Sequence, residues 1–445
     1  MNRNILLTGI LLVIITGCSK QLDDVFPRDR IAAEELNEND ISKLRNGLYA
    51  QMEDGVYSFA FDFDVRGENF RGGPGFALVD PVNMNPDDSR VLSMWRSAYN
   101  RISRANFLIE VIDNLGSAAT PAQLTVRAEA LYFRALMYYH MVTRWGGVPL
   151  LLKRSFDIVP RSSESETWDR IVADLLEAEN VLPAYTSAWY VSKEAAQAML
   201  ARVYLSLNNK PKAIEYADKV INTNRFLMAA DANGYASMFV ASSTSREHVF
   251  ALISNNPSNR HLYYQLVNDV DPTWDYSPSV SLYNNLYANT SIKAGDRRKT
   301  AVFLSNDTRL TKFPNGRTGQ QLVTTSNADF TPISISRITE LLLIKAEAQG
   351  NGSAAYTTLT PYFTNRYTTP PTSAQLSALS DKEFQDLILD ERNREFYGES
   401  FRWHDIKRTN RLDLLPSLAG RTYLLYYPIP QVEKDLAGYE QNPGY

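Results

Sequence analysis

The stretch "SKEAAQAMLARVYLSLNNKPKAIEYADKVI", residues 192–221, decides the fold. Ser192 is placed to cap a helix, and Ala196, Met199, Leu200, Val203 and Leu207 recur at helical spacing as one apolar stripe. After the "NNK" turn, Pro211 opens a second helix, where a missing N–H costs nothing, and Ala213 and Ala217 keep the packing distance short. Two short helices closed on one another by small residues point to an all-α protein.

The same pattern recurs on both sides. In "SSESETWDRIVADLLEAENVLP", residues 162–183, Ser163 and Glu166 are spaced as a capping box, Trp168, Ile171, Val172 and Leu175 share a face, and Pro183 stops the helix. In "AQLTVRAEALYFRALMYYHMVTRW", residues 122–145, one side carries Leu124, Ala128, Leu131, Ala135, Tyr138 and Val142. "ITELLLIKAEAQGNGSAAYTTLTPYF", residues 338–363, reads as another such segment. The pair around Ala201, Tyr204 and Ala213 resembles a tetratricopeptide unit, although the pairs are too irregularly spaced for a strict solenoid.

Two long segments break the helical pattern. Residues 61–89, "FDFDVRGENFRGGPGFALVDPVNMNPDDS", and residues 226–335 are rich in turn signals and aromatic rings. Loops of that length inside a helical protein are functional or disordered, and their aromatics favour an ordered, functional reading. Phe70 and Phe76 bracket the glycine run, and Trp274 and Tyr276 sit in "DVDPTWDYSPS" with Tyr263, Tyr264, Tyr283 and Tyr287 around it. Pro272 and Pro278 are expected to keep Trp274 out of regular structure.

The N-terminus carries an address. Arg3 precedes an apolar run from Ile5 to Ile15, too short to span a bilayer, which ends at Thr16, Gly17 and Cys18, the one cysteine of 445 residues. "IITGCSKQLDD" resembles the lipobox of bacterial lipoproteins, which makes residues 1–17 a signal peptide and Cys18 a lipidated anchor with a polar tether to residue 30. Asp23 and Asp24 resemble the acidic export signal of surface lipoproteins in Bacteroidetes. The leader holds one of the 46 basic and none of the 50 acidic residues, so the remaining 428 residues carry a formal charge of −5. That balance argues against nucleic acid and against electrostatic binding to an anionic membrane. The 25 tyrosines, 19 phenylalanines and 6 tryptophans suit a protein that presents rings to a ligand.

Catalytic signatures are weak. In "SDKEFQDLILDERNREFYGES", residues 380–400, Ser380 and Glu383 form a capping box, and the stripe begun by Phe384, Leu387 and Ile388 continues to Glu391 and Glu395. Two inward carboxylates could be a glycosidase acid pair. The crowd of bases nearby, Arg392, Arg394, Arg402 and Lys407, argues instead for a structural ion-pair network. His140, His248, His261 and His404 have no metal-ligand spacing, so neither metal nor cofactor is expected. "RGGPGF" lacks the ending of a phosphate loop, and "DANGY" and "NPDDS" lack the order of a calcium loop, so these read as turns.

Six stretches then stand in one order: "RAEALYFRALMYYHMVTRWGGVPL", "SKEAAQAMLARVYLSLNN", "AGDRRKTAVF", "ITELLLIKAEAQ", "LDERNREFYGESFRWHDIKR" and "PIPQVEKDLAGYEQNPGY". Together with the lipobox they resemble the SusD/RagB family of outer-membrane lipoproteins. The resemblance implies a single domain over residues 31–445, built of tetratricopeptide-like helix pairs with ligand-binding loops near 61–89 and 226–335. It also implies a non-enzymatic, cell-surface protein that captures a nutrient over a SusC-like TonB-dependent transporter, held to the membrane by its lipid alone. Sugar rings need flat aromatic platforms flanked by amides, carboxylates and guanidinium groups, and Asn69, Phe70, Arg71, Phe76, Trp274, Asp275, Tyr276 and Tyr283 offer that mixture for a glycan. Peptide capture and a purely structural lid are the alternatives the family leaves open.

Overall fold

The computed structural model describes residues 38–57, 59, 62–72, 84–154, 157–229, 231–239, 245–253, 276–279, 286–287, 290–302, 312–313 and 331–445. In chain order the helices are α1 (Glu38–Tyr57), α2 (Asp62–Arg66), α3 (Ser89–Asn114), α4 (Pro121–Trp145), α5 (Glu164–Val181), α6 (Lys193–Ser206), α7 (Lys210–Ile221) and α8 (Ala232–Ser237). They continue with α9 (Lys299–Val302), α10 (Ile338–Gln349), α11 (Ser353–Arg366), α12 (Ser373–Ser377), α13 (Asp381–Glu395), α14 (Arg402–Arg408) and α15 (Gln431–Ala437). Among the described residues six short strands, β1 (Phe70–Gly72), β2 (His248–Leu252), β3 (Tyr276–Pro278), β4 (Ala294–Asp296), β5 (Ile333–Arg337) and β6 (Tyr367–Thr369), pair as the antiparallel ribbons β1–β3, β2–β5 and β4–β6.

The expected helix signals operate as read. Ser163 and Glu166 close a capping box on α5, Ser192 caps α6, and Pro211 lies in the first turn of α7. Each cap satisfies backbone N–H groups that the helix itself cannot, a contribution of about 1 kcal/mol. Ala213 and Ala217 are fully buried where α7 packs on α6, and neighbouring helices pack in sequence from α3 to α7, with α10 then laid against α7. α4 is apolar almost all round because α3 and α5 cover it from both sides, and it ends at Gly146 with φ 72°, a backbone state that favours glycine. Leu124 and Leu207 depart from the expected stripes, at 39 % and 40 % exposure. Leu124 lies in the first turn of α4 before that helix enters the core, and Leu207 is already the C-cap residue of α6.

Both acidic turns start helices. Asp231 in "DANGY" accepts the Gly234 N–H at 2.8 Å to cap α8, and Asp88 in "NPDDS" accepts the Arg90 N–H at 2.9 Å to cap α3. The main core runs through α1 and α3–α7, a smaller one lies between α10, α11 and α13, and a third, rich in aromatic rings, lies under β1. Among the described residues no helix is long and apolar enough to cross a membrane.

Candidate functional site

The two loop segments meet. α2 ends in a tight turn in which the N–H groups of Gly67, Glu68 and Asn69 return to the carbonyls of Phe63, Val65 and Asp64. A Cβ on Gly67 would stand 2.8 Å from the Phe63 carbonyl oxygen and would run into the Arg402 side chain, so the turn needs glycine. The chain leaves this turn as β1 and pairs with β3, Phe70 opposite Pro278, Arg71 opposite Ser277 and Gly72 opposite Tyr276. The Ser279 N–H donates to the Asn69 carbonyl at 3.0 Å and extends the ribbon. Pro278 ends β3, and a two-stranded ribbon has a free edge, where a missing N–H disturbs no ladder; Trp274, which Pro272 and Pro278 were expected to keep out of regular structure, lies outside the described residues.

The expected ligand residues divide by position. Asn69 is fully buried, its Nδ2 donating to Asp64 Oδ1 at 2.5 Å and to Asn393 Oδ1 at 2.9 Å, while Tyr397 OH donates to its carbonyl at 2.6 Å. Phe70 is 4 % exposed, 5.2 Å from the Tyr397 ring, in a cluster with Tyr235, Phe239, Tyr287 and Phe313. These two side chains therefore hold the ribbon on the scaffold from behind. Arg71 and Tyr276 are placed by their backbone register in the ribbon. Phe76, Trp274, Asp275, Tyr283 and Cys18 lie outside the described residues.

Below the ribbon is the ion-pair network. Glu391 and Glu395 have no exposed surface, as their place on the α13 stripe implied. Glu391 binds Lys293, Arg298 at 2.9 Å and Arg394 at 3.2 Å, and accepts from Tyr362 OH at 2.7 Å. Glu395 takes Arg298 and Arg366, each at 3.0 Å, and Arg337 at 2.8 Å, while Glu247 binds Arg337 at 2.6 Å and Arg366 at 3.0 Å. Burial alone would push both α13 carboxyls up, yet Lys293, Arg298 and Arg394 around Glu391, and Arg366, Arg337 and Arg298 around Glu395, hold them well below the usual carboxylate range. Both stay ionised and neither can donate a proton as a glycosidase acid must.

Sequence adjacency misassigned most of the partners. Of the four bases near α13, Arg394 reaches Glu391, whereas Arg392 pairs with Asp405 at 2.8 Å and Lys407 donates to the Thr143 carbonyl at 3.2 Å over the Tyr426 ring. Arg402 packs against the α2 turn. The remaining partners come from Lys293, Arg298, Arg337 and Arg366, so the network ties β4, β5 and α11 to α13 and fixes the roots of the long second loop segment. Asp64 was not singled out by its sequence surroundings. Burial pushes its carboxyl up to about 6, against the hydrogen bonds it accepts from Asn69 and from the Ser400 N–H at 2.6 Å. No local pattern could have marked it, because its environment is assembled from α2, the residues before β1 and the turn after α13.

Comparison with known proteins follows this architecture. Residues 24–205 match the profile of a family described as starch-binding, associating with the outer membrane, and residues 263–415 match that of the SusD family. SusD-like protein P2 of Formosa agariphila is 27 % identical, with 98 % of each chain covered. The crystal structure of a SusD superfamily protein from Bacteroides thetaiotaomicron superposes with a TM-score of 0.76 at 24 % identity, covering 92 % of this chain and 100 % of that one. A laminarin-binding SusD-like protein superposes with a TM-score of 0.72 at 20 % identity, covering 92 % and 100 %. With two profiles of one family matched in order and a relative of that family aligned from end to end, the chain belongs to the SusD family.

Proposed function

We propose that this protein is a lipid-anchored cell-surface receptor that captures a glycan and passes it to a SusC-like TonB-dependent transporter. The observation that supports it best is the β1–β3 ribbon, which draws two aromatic-rich loops from distant parts of the chain to one place on a rigid helical frame. Arg71, Phe76, Trp274, Asp275, Tyr276 and Tyr283 are the proposed contacts, with Asn69 and Phe70 supporting them from below. Aromatic faces take the C–H side of a sugar ring and the polar groups take its hydroxyls. The matched family's description as starch-binding and the laminarin-binding neighbour favour a glucan among glycans. Membership in this family makes the chain a binding protein and not an enzyme, in keeping with the permanently ionised Glu391 and Glu395. Calorimetric titration against starch, laminarin, other plant and host polysaccharides and a mixed peptide digest tests the proposal, with product analysis afterward. Saturable binding of one polysaccharide without cleavage is expected; binding to peptides alone replaces the glycan with a peptide ligand.

A further inference from the structure

The chain that leads into the ribbon is gripped by two histidines. The His140 imidazole on α4 stacks on Phe59, centroids 4.9 Å apart and planes within 6°, and the His404 imidazole on α14 stacks on Phe63 at 6.3 Å and 13°. Arg144 lies over the same two phenyl rings, 4.6 Å from Phe59 and 3.9 Å from Phe63, and binds both oxygens of Asp62 at 2.6 and 2.5 Å. Ser400 closes the grip, its Oγ donating to the Phe59 carbonyl at 2.8 Å. Both histidines line one cavity of about 60 Å³, bounded also by Tyr139, Arg202, Glu399 and Phe401, which leaves the rings room to move.

We propose that His140 and His404 form an acid-operated latch: as neutral rings they clamp Phe59 and Phe63, and a proton on either ring loosens that segment and the β1 strand it leads to. The charges around them explain why. His140 Nδ1 lies 3.4 Å from Arg144 Nη1, and Arg202 of α6 faces it across the cavity. Asp62, the nearby acid, already has both oxygens on Arg144. His404 faces Arg408 and Lys407 of its own helix and Arg392 of α13. Its acidic neighbour Asp405 is held by Arg392 and Arg408, and Glu399 is held by Lys312 and Arg337. A histidinium at either place adds a buried cation among cations, with every neighbouring carboxylate engaged.

Burial first, then the arginines, hold both rings well below the ordinary 6.5. A depressed histidine contributes stability that is present above 6.5 and is lost as pH falls beneath it. Asp64, on the same segment, works in the opposite direction. Its raised carboxyl takes up a proton in the folded state before the unfolded one, so acidification from pH 7 to 5 strengthens its contribution. Lys407, pushed down to about 7 by burial and by Arg66 and Arg144, takes up its proton at the top of that interval, so loosening below pH 6.5 is assigned to the histidines.

Hydrogen exchange of the full chain in detergent, corrected for the intrinsic pH dependence of exchange, tests the latch without reference to any ligand. The expected result is a loss of protection of at least tenfold in peptides covering Phe59, Phe63 and β1 between pH 7.5 and 5.0, with α6 and α7 unchanged. Unchanged protection at pH 5.0 overturns the proposal, as does a loss equal to that of the wild type in the double variant His140→Gln/His404→Gln. Nitrogen-15 imidazole spectra of the wild type give a reading that needs no variant: both rings neutral at pH 7 is expected, and a histidinium there overturns the latch. Its consequence for the ligand rests on the glycan proposal. A protein that binds no polysaccharide yet shows the pH-dependent exchange refutes that proposal and keeps the latch.

Discussion

Gly72 stands directly opposite Tyr276 in the β1–β3 ribbon, so a strand from the first loop segment and a strand from the second are neighbours in space. Neither loop could be related to the other by reading along the chain. The predictions that follow depend on this pairing and on the buried frame that supports it.

Replacing Trp274 or Tyr276 by alanine is expected to weaken binding of the preferred polysaccharide about fivefold, in line with roughly 1 kcal/mol for an aromatic contact beyond its buried area. Thermal unfolding should stay within a degree or two of wild type. Unchanged affinity in calorimetric titration removes the substituted residue from the site.

Gly67→Ala should cost about 1–3 kcal/mol, because the added methyl meets the Phe63 carbonyl oxygen and the Arg402 side chain in a turn with no space to yield. Urea unfolding measures the cost. Because this turn leads directly into β1, ligand affinity should fall with stability.

Glu395→Gln should cost about 3–5 kcal/mol, since Arg298, Arg337 and Arg366 would lose a shared buried counter-charge. The carboxyl is depressed in the folded state, so its contribution is complete above about 4.5 and drains as pH falls below that value. Urea midpoints across pH 3–8 should show the variant and the wild type converging at the acid end.

Asp64→Asn should stabilise the protein above pH 6. The carboxyl rises from 3.8 to about 6 on folding, which penalises the ionised form by about 3 kcal/mol at neutral pH. Loss of the acceptor for the Ser400 N–H returns about 1 kcal/mol, leaving a gain of about 2 kcal/mol that vanishes near pH 4.5 and becomes a loss of about 1 kcal/mol in stronger acid. A variant less stable than wild type at pH 8 contradicts this account of the site.

Cys18→Ala should move the protein from the membrane to the soluble fraction with an unchanged circular dichroism spectrum. Retention in the membrane fraction would show that something other than a lipid on Cys18 anchors the chain.

Much of the architecture was legible because it is written locally. Ser163 with Glu166, Ser192, Pro211 and Ser380 with Glu383 mark helix starts through hydrogen bonds made within three or four residues, and the apolar stripes between them repeat every turn. The burial of Glu391 and Glu395 followed from the same periodicity. The site was less legible. β1 and β3 are three residues each, too short to show alternation.

The amino-acid order alone specified the helix pairs, their caps and the family resemblance, because these depend on neighbours within a turn or two or on wording that stands in one line. The ribbon joining Gly72 to Tyr276, the partners of Glu395 and the clamp of His140 and His404 on Phe59 and Phe63 were decided by the fold. Each is a meeting of groups distant in the chain, and such meetings exist only after helix packing has chosen which segments share a buried space.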